Sequence, residues 1–346
     1  MNAGFFPLDE QLGVRDAHWS EKVAADAVWL YGHVPGNVAA EALKRLTGIE
    51  LSETSLWRRV ATWGEQFQAY EALQQAKAHA VPLRGEAPPS ALRLPYKMGV
   101  GMDGTMVHIR KEGWKELKVG NVFKIVVRKE WVEESETFED RAHAVDNSYV
   151  ARLGGPEAFG QVLWMEALRR RVPQAHESVV LGDGANWIWN LAQEHFGTSW
   201  QVVDWYHGKQ HLHRVGNLVF GEGSPQSQQW VKTMRTSLFQ GHAAHVALDI
   251  QDLAAEYPSQ QKALCSEANY FESNKRRMQY MEIRDAGLPI GSGMVESGCK
   301  QFGARFNGAG MRWSREGAER LIPIRATIMS GRYDEVWPAA YNSPLN

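Results

Sequence analysis

Three acidic residues, widely separated along a chain of 346, stand in local settings that suit metal-assisted phosphoryl transfer. Asp103 closes an apolar run (KMGVGMDGTMVHIR), Asp183 closes a second (SVVLGDGANWIW), and Glu296 opens a helix-like segment after a glycine pair (PIGSGMVESGCK). A carboxylate at the carboxyl end of a buried strand is held rigidly where loops leave room for a ligand, and its oxygens suit hard cations. Breaking a phosphodiester bond needs an activated oxygen nucleophile, neutralised phosphoryl oxygens and a stabilised leaving oxygen. Two Mg²⁺ ions roughly 4 Å apart provide all three. On this reading Asp103 bridges both ions, Asp183 holds one and Glu296 the other, with Mn²⁺ as a substitute. Each acid also has a plain structural alternative. Asp103-Gly104 is a favoured hairpin pair, Asp183 is placed to cap a helix starting near Trp187, and Glu296 is spaced to pair with Lys300 one turn on.

Further polar residues gather near these acids in the sequence. Asp204 and His207 follow a short apolar run, where a packed histidine held by its aspartate is the plain reading. His207 and His211 are four apart, a spacing that puts two imidazoles on one helical face and is also open to zinc. The overall formal charge of -2 hides a basic end: residues 297–332 hold seven Lys and Arg against two acids. Lys300, Arg305, Arg312 and Trp313 are the expected nucleic-acid contacts there, against the alternative of an ordinary solvated helix face. Trp187, Trp189 and Trp205 belong with Trp313 to a set of 14 tryptophans, some of them suited to stack on unpaired bases and most of them suited to a core.

The elements that position these residues read as an α/β fold. Apolar periodicity gives three helices in residues 1–76, with Val38, Ala42 and Leu46 on one face of the second and Leu56, Val60 and Trp63 on that of the third. Arg58 and Arg59 then point outward, the outline of a helix-turn-helix, and are expected to contact DNA. A three-helix bundle of any function gives the same outline. Residues 77–95 are rich in proline and alanine and read as a linker. Val- and Ile-rich segments at Lys97–Asp103, Met106–Arg110 and Val119–Arg128 predict three strands, and alternating helices and strands follow as far as Asp204. Residues 216–287 lose the strand signal and read as an all-helical insertion between a first core part (96–215) and a second (288–335), followed by a tail (336–346). Strands, alternation and insertion together describe a ribonuclease H-like layer with Asp103 on the first strand and Asp183 on the fourth.

Length and an apolar content of 44% allow a sizeable core. No apolar stretch reaches the roughly 18 residues of a membrane span, and the first residues lack the pattern of a signal sequence, so a cytoplasmic protein is expected, nucleoid-associated when on DNA. Cys265 and Cys299 are the only cysteines and form no metal-binding pair.

The segments MDGTMVHIRKEGWKELKVGNVF, VVLGDGANWIWNL, VVDWYHGKQHL, PIGSGMVESGCKQF and AGMRWSREGAERLIPIR resemble the DDE transposases of bacterial insertion sequences, most closely the ISKra type and its Mutator-like relatives. The resemblance covers roughly residues 5 to 335. It implies a ribonuclease H-like core with a helical insertion before the helix of the last acid, transposition as the activity, Asp103, Asp183 and Glu296 as the catalytic and metal-binding acids, and DNA as partner. Assembly on two element ends implies a homodimer or larger, and the family's acid-and-histidine pair at the place of VVDWYHGKQHL implies that Asp204 and His207 orient DNA or support the acidic cluster from behind. A nuclease of the same superfamily without strand transfer, or a domesticated DNA-binding regulator, would use the same scaffold.

Overall fold

A computed structural model describes residues 19–79, 93–132, 137–308 and 310–342. At its centre lies a five-stranded mixed sheet of β1 (Leu94–Ile109), β2 (Gly113–Val132), β3 (Thr137–Leu153), β4 (Ala175–Gly182) and β5 (Trp200–Val203), in the order β3-β2-β1-β4-β5. The first three strands form an antiparallel meander, while β4 lies parallel to β1 and β5 parallel to β4. Parallel neighbours require crossovers. Helix α5 (Asn186–His195) makes the one from β4 to β5, and α4 (Pro156–Arg169) carries the chain from β3 to β4.

Two strand assignments need correction. Lys97–Asp103 and Met106–Arg110 are one strand, because the Asp103-Gly104 pair does not turn: Asp103 pairs with Val119 and Gly104 with Lys118. The third strand of the meander is instead β3, whose sequence (TFEDRAHAVDNSYVARL) is too polar to read as a strand. It lies at the sheet edge, where its first half is largely open to solvent. The two errors offset each other, so Asp103 still falls on the first strand and Asp183 directly after the fourth.

Side chains alternate across β1. Met98, Val100 and Met102 face a core that also contains α4, α5 and the helical segment α6 (Trp205–Phe220), α7 (Pro225–Phe239), α8 (Ala243–Glu256), α9 (Gln261–Asn274) and α10 (Tyr280–Asp285). The expected stripes of that segment are buried at Met234, Leu238, Val246, Ile250, Leu264, Phe271 and Met278. Val107 and Ile109 face a second core, built with α11 (Gly293–Phe306), α12 (Arg315–Met329) and α13 (Tyr333–Tyr341). Gly101 lets α11 lie close on the sheet, since a Cβ there would strike Asn121 Oδ1 and come within 3.0 Å of Val295.

The second core also contains the amino-terminal helices α1 (Glu21–His33), α2 (Gly36–Thr47) and α3 (Glu53–His79). They are therefore no separate helical unit. Leu56, Val60 and Trp63 are buried as expected, and Trp63 stacks on Tyr341 at 4.8 Å between ring centres. On α2 Gly36, Ala39 and Leu43 are buried, whereas Val38 and Leu46 are exposed, so its inward face is one position round from the predicted one. The expected tail is largely α13, with Trp337 and Tyr341 buried, and residues 343–346 lie outside the described residues. So do residues 80–92 of the expected linker, which β1 follows from Leu94. Among the described residues no helix is long and apolar enough to cross a membrane.

Candidate active site

Strand register sets aspartates side by side. Gly101 of β1 pairs with Leu181 of β4, which pairs in turn with Val202 of β5. Two residues further along each chain segment come Asp103, Asp183 and Asp204, one row of carboxylates across three neighbouring strand positions. Adjacent strands lie about 4.8 Å apart, so Asp183 stands beside each of the other two. The Asp204 N–H donates to the Gly182 carbonyl at 2.8 Å and extends the ladder to this row.

Helix α11 brings Glu296 to the row in its first turn, with Val295, Cys299 and Phe302 buried against the sheet. Ser292, just before the helix, ties two acids together. Its N–H donates to Asp204 Oδ2, and its hydroxyl donates to Glu296 Oε1 at 3.3 Å. The Cys299 thiol, one helical turn beyond Glu296, hydrogen-bonds to the Asp103 carboxylate. Its own pKa is pushed up by burial and by the charge of Asp103.

The electrostatics follow from this crowding. Burial raises the Asp103 pKa and the negative charge of Asp183 adds to it, against hydrogen bonds from the Gly104 N–H, at 2.7 Å, and from Cys299. Asp204 is fully buried. Burial alone would raise its pKa too, but hydrogen bonds from His207 and Ser292 outweigh this and hold it ionised. Its Oδ1 accepts from the His207 N–H at 2.8 Å and faces His207 Nδ1 at 3.3 Å. That bond raises the His207 pKa against the opposing effect of burial, and the charges of Asp183 and Glu296 add to the rise. With Nδ1 turned to Asp204, Nε2 is the ring nitrogen left for the cleft.

The cleft holds about 460 Å³ and opens over Asp103, His207 and Glu296, with Tyr206, Gln210 and Lys300 at its edge. One donor atom from each of Asp204, His207 and Glu296 lies within 4.8 Å of the others, a spacing open to a metal. The two Asp204 oxygens are already engaged by His207 and Ser292, which suits Asp204 to holding its neighbours in place. His211 turns away from this group. Its Nδ1 meets Glu267 of α9 at 2.5 Å and its ring stacks on Tyr270, so His207 and His211 do not share a zinc ion.

Asp183 does not cap α5, whose N-cap position is Ala185 with no side-chain bond; it braces the turn ahead of the helix instead. Its Oδ1 accepts from the Ala185 N–H at 2.9 Å at the entry to α5, and its carbonyl accepts from the Tyr270 hydroxyl at 2.9 Å. For Glu296 the bond is to Ser292, and no ion pair to Lys300 is seen among the described residues.

The expected DNA contacts scatter. Arg58 and Arg312 are exposed, as is Lys300 at the cleft edge. Arg59 is half-buried, its guanidinium 5.1 Å above the Trp19 ring, and does not point straight outward. Arg305 is a correction: it is 3% exposed and donates from Nε and Nη2 to the Tyr31 carbonyl at 2.9 and 2.7 Å. Burial pushes its pKa down to about 10, which leaves it charged and structural. Trp313 is another correction. Its indole N–H donates to the Phe306 carbonyl at 2.9 Å, and its backbone bridges to Ile109, six residues and about 20 Å along β1 from Asp103. Trp189 is buried beneath Arg277, and Trp205 packs against Tyr280 and Phe239.

Sequence reasoning missed Ser292 and Cys299 as partners of the acids, and Tyr270 as a clamp on Asp183. Ser292 had a local signal, a polar residue ahead of a helix start. Tyr270 had none, because it arrives from a helix remote in sequence. Among known proteins, no family model matches the chain. It is similar to the UPF0236 protein in the vanSb 3′ region of Streptococcus gallolyticus, at 22% identity over an alignment of 351 residues that takes in 97% of this chain and 70% of the relative. The name of that relative states no activity, but the alignment runs through the amino-terminal helices, sheet and helical segment alike.

Proposed function

We propose that this chain is a DNA transposase of the DDE type, which cuts at the ends of an insertion sequence and joins the freed 3′ hydroxyl to target DNA by cation-dependent phosphoryl transfer. The observation that carries the reading is that Asp103 and Glu296, far apart in sequence, line one cleft, with Asp183 beside Asp103 at the end of the neighbouring strand. The strand order, three antiparallel strands followed by two parallel ones with acids on β1 and after β4, supports a ribonuclease H-like core.

The donor chemistry of these residues suits Mg²⁺ or Mn²⁺. All three acids offer hard oxygen donors, and the burial and neighbouring Asp183 charge that raise the Asp103 pKa are costs that a cation relieves. Asp103, Asp183 and Glu296 would hold the ions, which when bound activate the attacking oxygen and offset charge on the phosphoryl group and leaving oxygen. The rest of the site falls to the chain itself. Asp204 and Ser292 fix Glu296 and His207 in place, and His207, whose pKa Asp204 raises, turns Nε2 toward a phosphate oxygen. Lys300 stands at the cleft edge for the flanking strand.

A hydrolytic nuclease on the same core is the second reading. It is favoured by the burial of the amino-terminal helices in the second core, which leaves no free-standing unit for recognition of element ends among the described residues. One experiment separates the two. Purified protein is incubated with labelled element-end DNA in Mg²⁺, Mn²⁺, Ca²⁺ or excess chelator. A transposase gives a nick at the element junction and a joined product, both lost in chelator. A nuclease gives nicks alone, and cleavage in chelator would sink both.

A further inference from the structure

Cations from four elements converge on a cleft that the acidic site does not use. This second cleft, of about 530 Å³, is bounded by Arg141 of β3, Lys209 of α6, Arg235 of α7 and Arg284 of α10. Its wall continues through the loop from Leu288 to Gly291 into Gly293 and Met294, the first residues of the helix that carries Glu296. Tyr206 lines both this cleft and the acidic one, so the two adjoin.

The charges here are poorly balanced. Glu139 is shared between Arg141, at 3.2 Å, and Arg284, at 3.3 Å. Among the described residues no ion pair is seen to Lys209 or Arg235. Burial lowers the Lys209 pKa and the neighbouring charge of Arg235 adds to this, outweighing the attraction of Asp204, so like charges stand close together here. The amino terminus of α11 adds its partial positive charge to the same wall. An anion is the occupant that relieves this arrangement. The aromatic wall narrows its identity: Tyr206 is 57% exposed, with the Lys209 ammonium 4.3 Å above its ring. An exposed ring beside cations suits a base attached to its phosphate, the pattern of single-strand recognition.

We propose that this cleft is the track of a nucleic-acid strand on its way to the acidic site, with phosphates next to the reacting one held by Lys209, Arg235 and Arg284 and a base stacked on Tyr206. The assignment rests on the phosphoryl-transfer reading for where the reacting phosphate lies. It deepens that reading by giving the strand a path beside the row of acids, between β3, α6, α7 and α10.

The test is fluorescence anisotropy with labelled oligothymidylate in excess chelator, across a salt titration, so that neither metal nor chemistry contributes. The double variant Lys209→Ala/Arg235→Ala is expected to bind at least about tenfold more weakly, with a log-log salt slope smaller by about 1.4, roughly 0.7 for each phosphate no longer neutralised. Tyr206→Ala should weaken binding at least about fivefold with the slope unchanged, while Tyr206→Phe and Lys209→Arg should bind like the parent. Parent affinity and slope in the double variant overturn the track. So does thymidine monophosphate or inorganic phosphate displacing the oligomer as well as unlabelled oligomer does, which marks a small-anion site, and so does an absence of oligomer binding. Cleavage assays on the same proteins keep the two ideas apart. A parent that binds the oligomer through these residues but makes no metal-dependent cut overturns the phosphoryl-transfer reading and supports the binding cleft. A parent that cuts, with a double variant that cuts and binds equally well, overturns the cleft alone.

Discussion

Burial, with the adjacent charge of Asp183, raises the Asp103 pKa, so the folded chain without a cation holds this carboxylate against its own preference. A raised carboxyl pKa contributes stability that is fully present below the unfolded pKa, near 3.9, and is lost as pH rises through the folded value. Ionising Asp103 therefore costs stability, and Asp103→Asn is expected to raise the melting temperature of the metal-free protein at neutral pH. The difference from the parent should shrink as pH falls into the ordinary carboxyl range, which thermal melts across pH would show. The same variant should lose cleavage by at least about a hundredfold, the scale of removing one charge-stabilising group. A variant that melts lower than the parent at neutral pH would contradict the crowding. The acids themselves were legible because each ends or follows an apolar run. That Asp204 stands in the same row was not, since only the register of β4 with β1 and β5 shows it. Cys299 and Ser292 were unreadable as partners for a similar reason: what they touch lies on other strands.

Arg305 shows how an element can mislead a charge count. The basic excess of residues 297–332 suggested a phosphate-facing helix, yet this guanidinium joins α11 to α1 through the Tyr31 carbonyl and sits 5.1 and 5.2 Å from the ring centres of Tyr31 and Trp313. Arg305→Met keeps the aliphatic bulk but leaves the buried carbonyl without its donor, at roughly 1–3 kcal/mol. Urea melts should show that loss, while DNA binding of the still-folded variant stays at the parent level. Arg312→Ala, exposed, should leave stability within about 0.5 kcal/mol. If Arg305→Met instead weakens binding without a shift in the urea midpoint, the arginine belongs to a DNA surface after all. Strand β3 was lost to sequence reasoning for the opposite reason. An edge strand half in solvent needs few apolar residues, and its alternation drowns in charge.

At the scale of the whole molecule, periodicity tells which side of a helix is apolar but not what covers it, and the amino-terminal helices are where this matters most. Their stripe was legible at Leu56, Val60 and Trp63; that it packs on α12 and α13 was not. Leu56, Val60, Trp63 and Phe67 of α3 are at most 1% exposed. At about 1.5–3 kcal/mol for each fully buried apolar side chain, α3 alone contributes on the order of 6–12 kcal/mol, comparable with the roughly 5–15 kcal/mol net stability of a whole domain. A chain beginning at Arg93 would bare Leu321, Ile322 and Trp337 to water. It is expected to aggregate or to melt without a cooperative transition, as circular dichroism and gel filtration would record. A self-contained amino-terminal unit predicts the reverse, a truncated protein that stays monomeric with nearly the parent melting temperature. Because α12 packs on α3 and α11 is tied to α1 through Arg305, loosening those helices should also displace Glu296 from the row of aspartates. Partial truncation from the amino terminus should then erode cleavage and stability together, whereas a detachable recognition unit would lose DNA affinity first and leave the melting temperature in place.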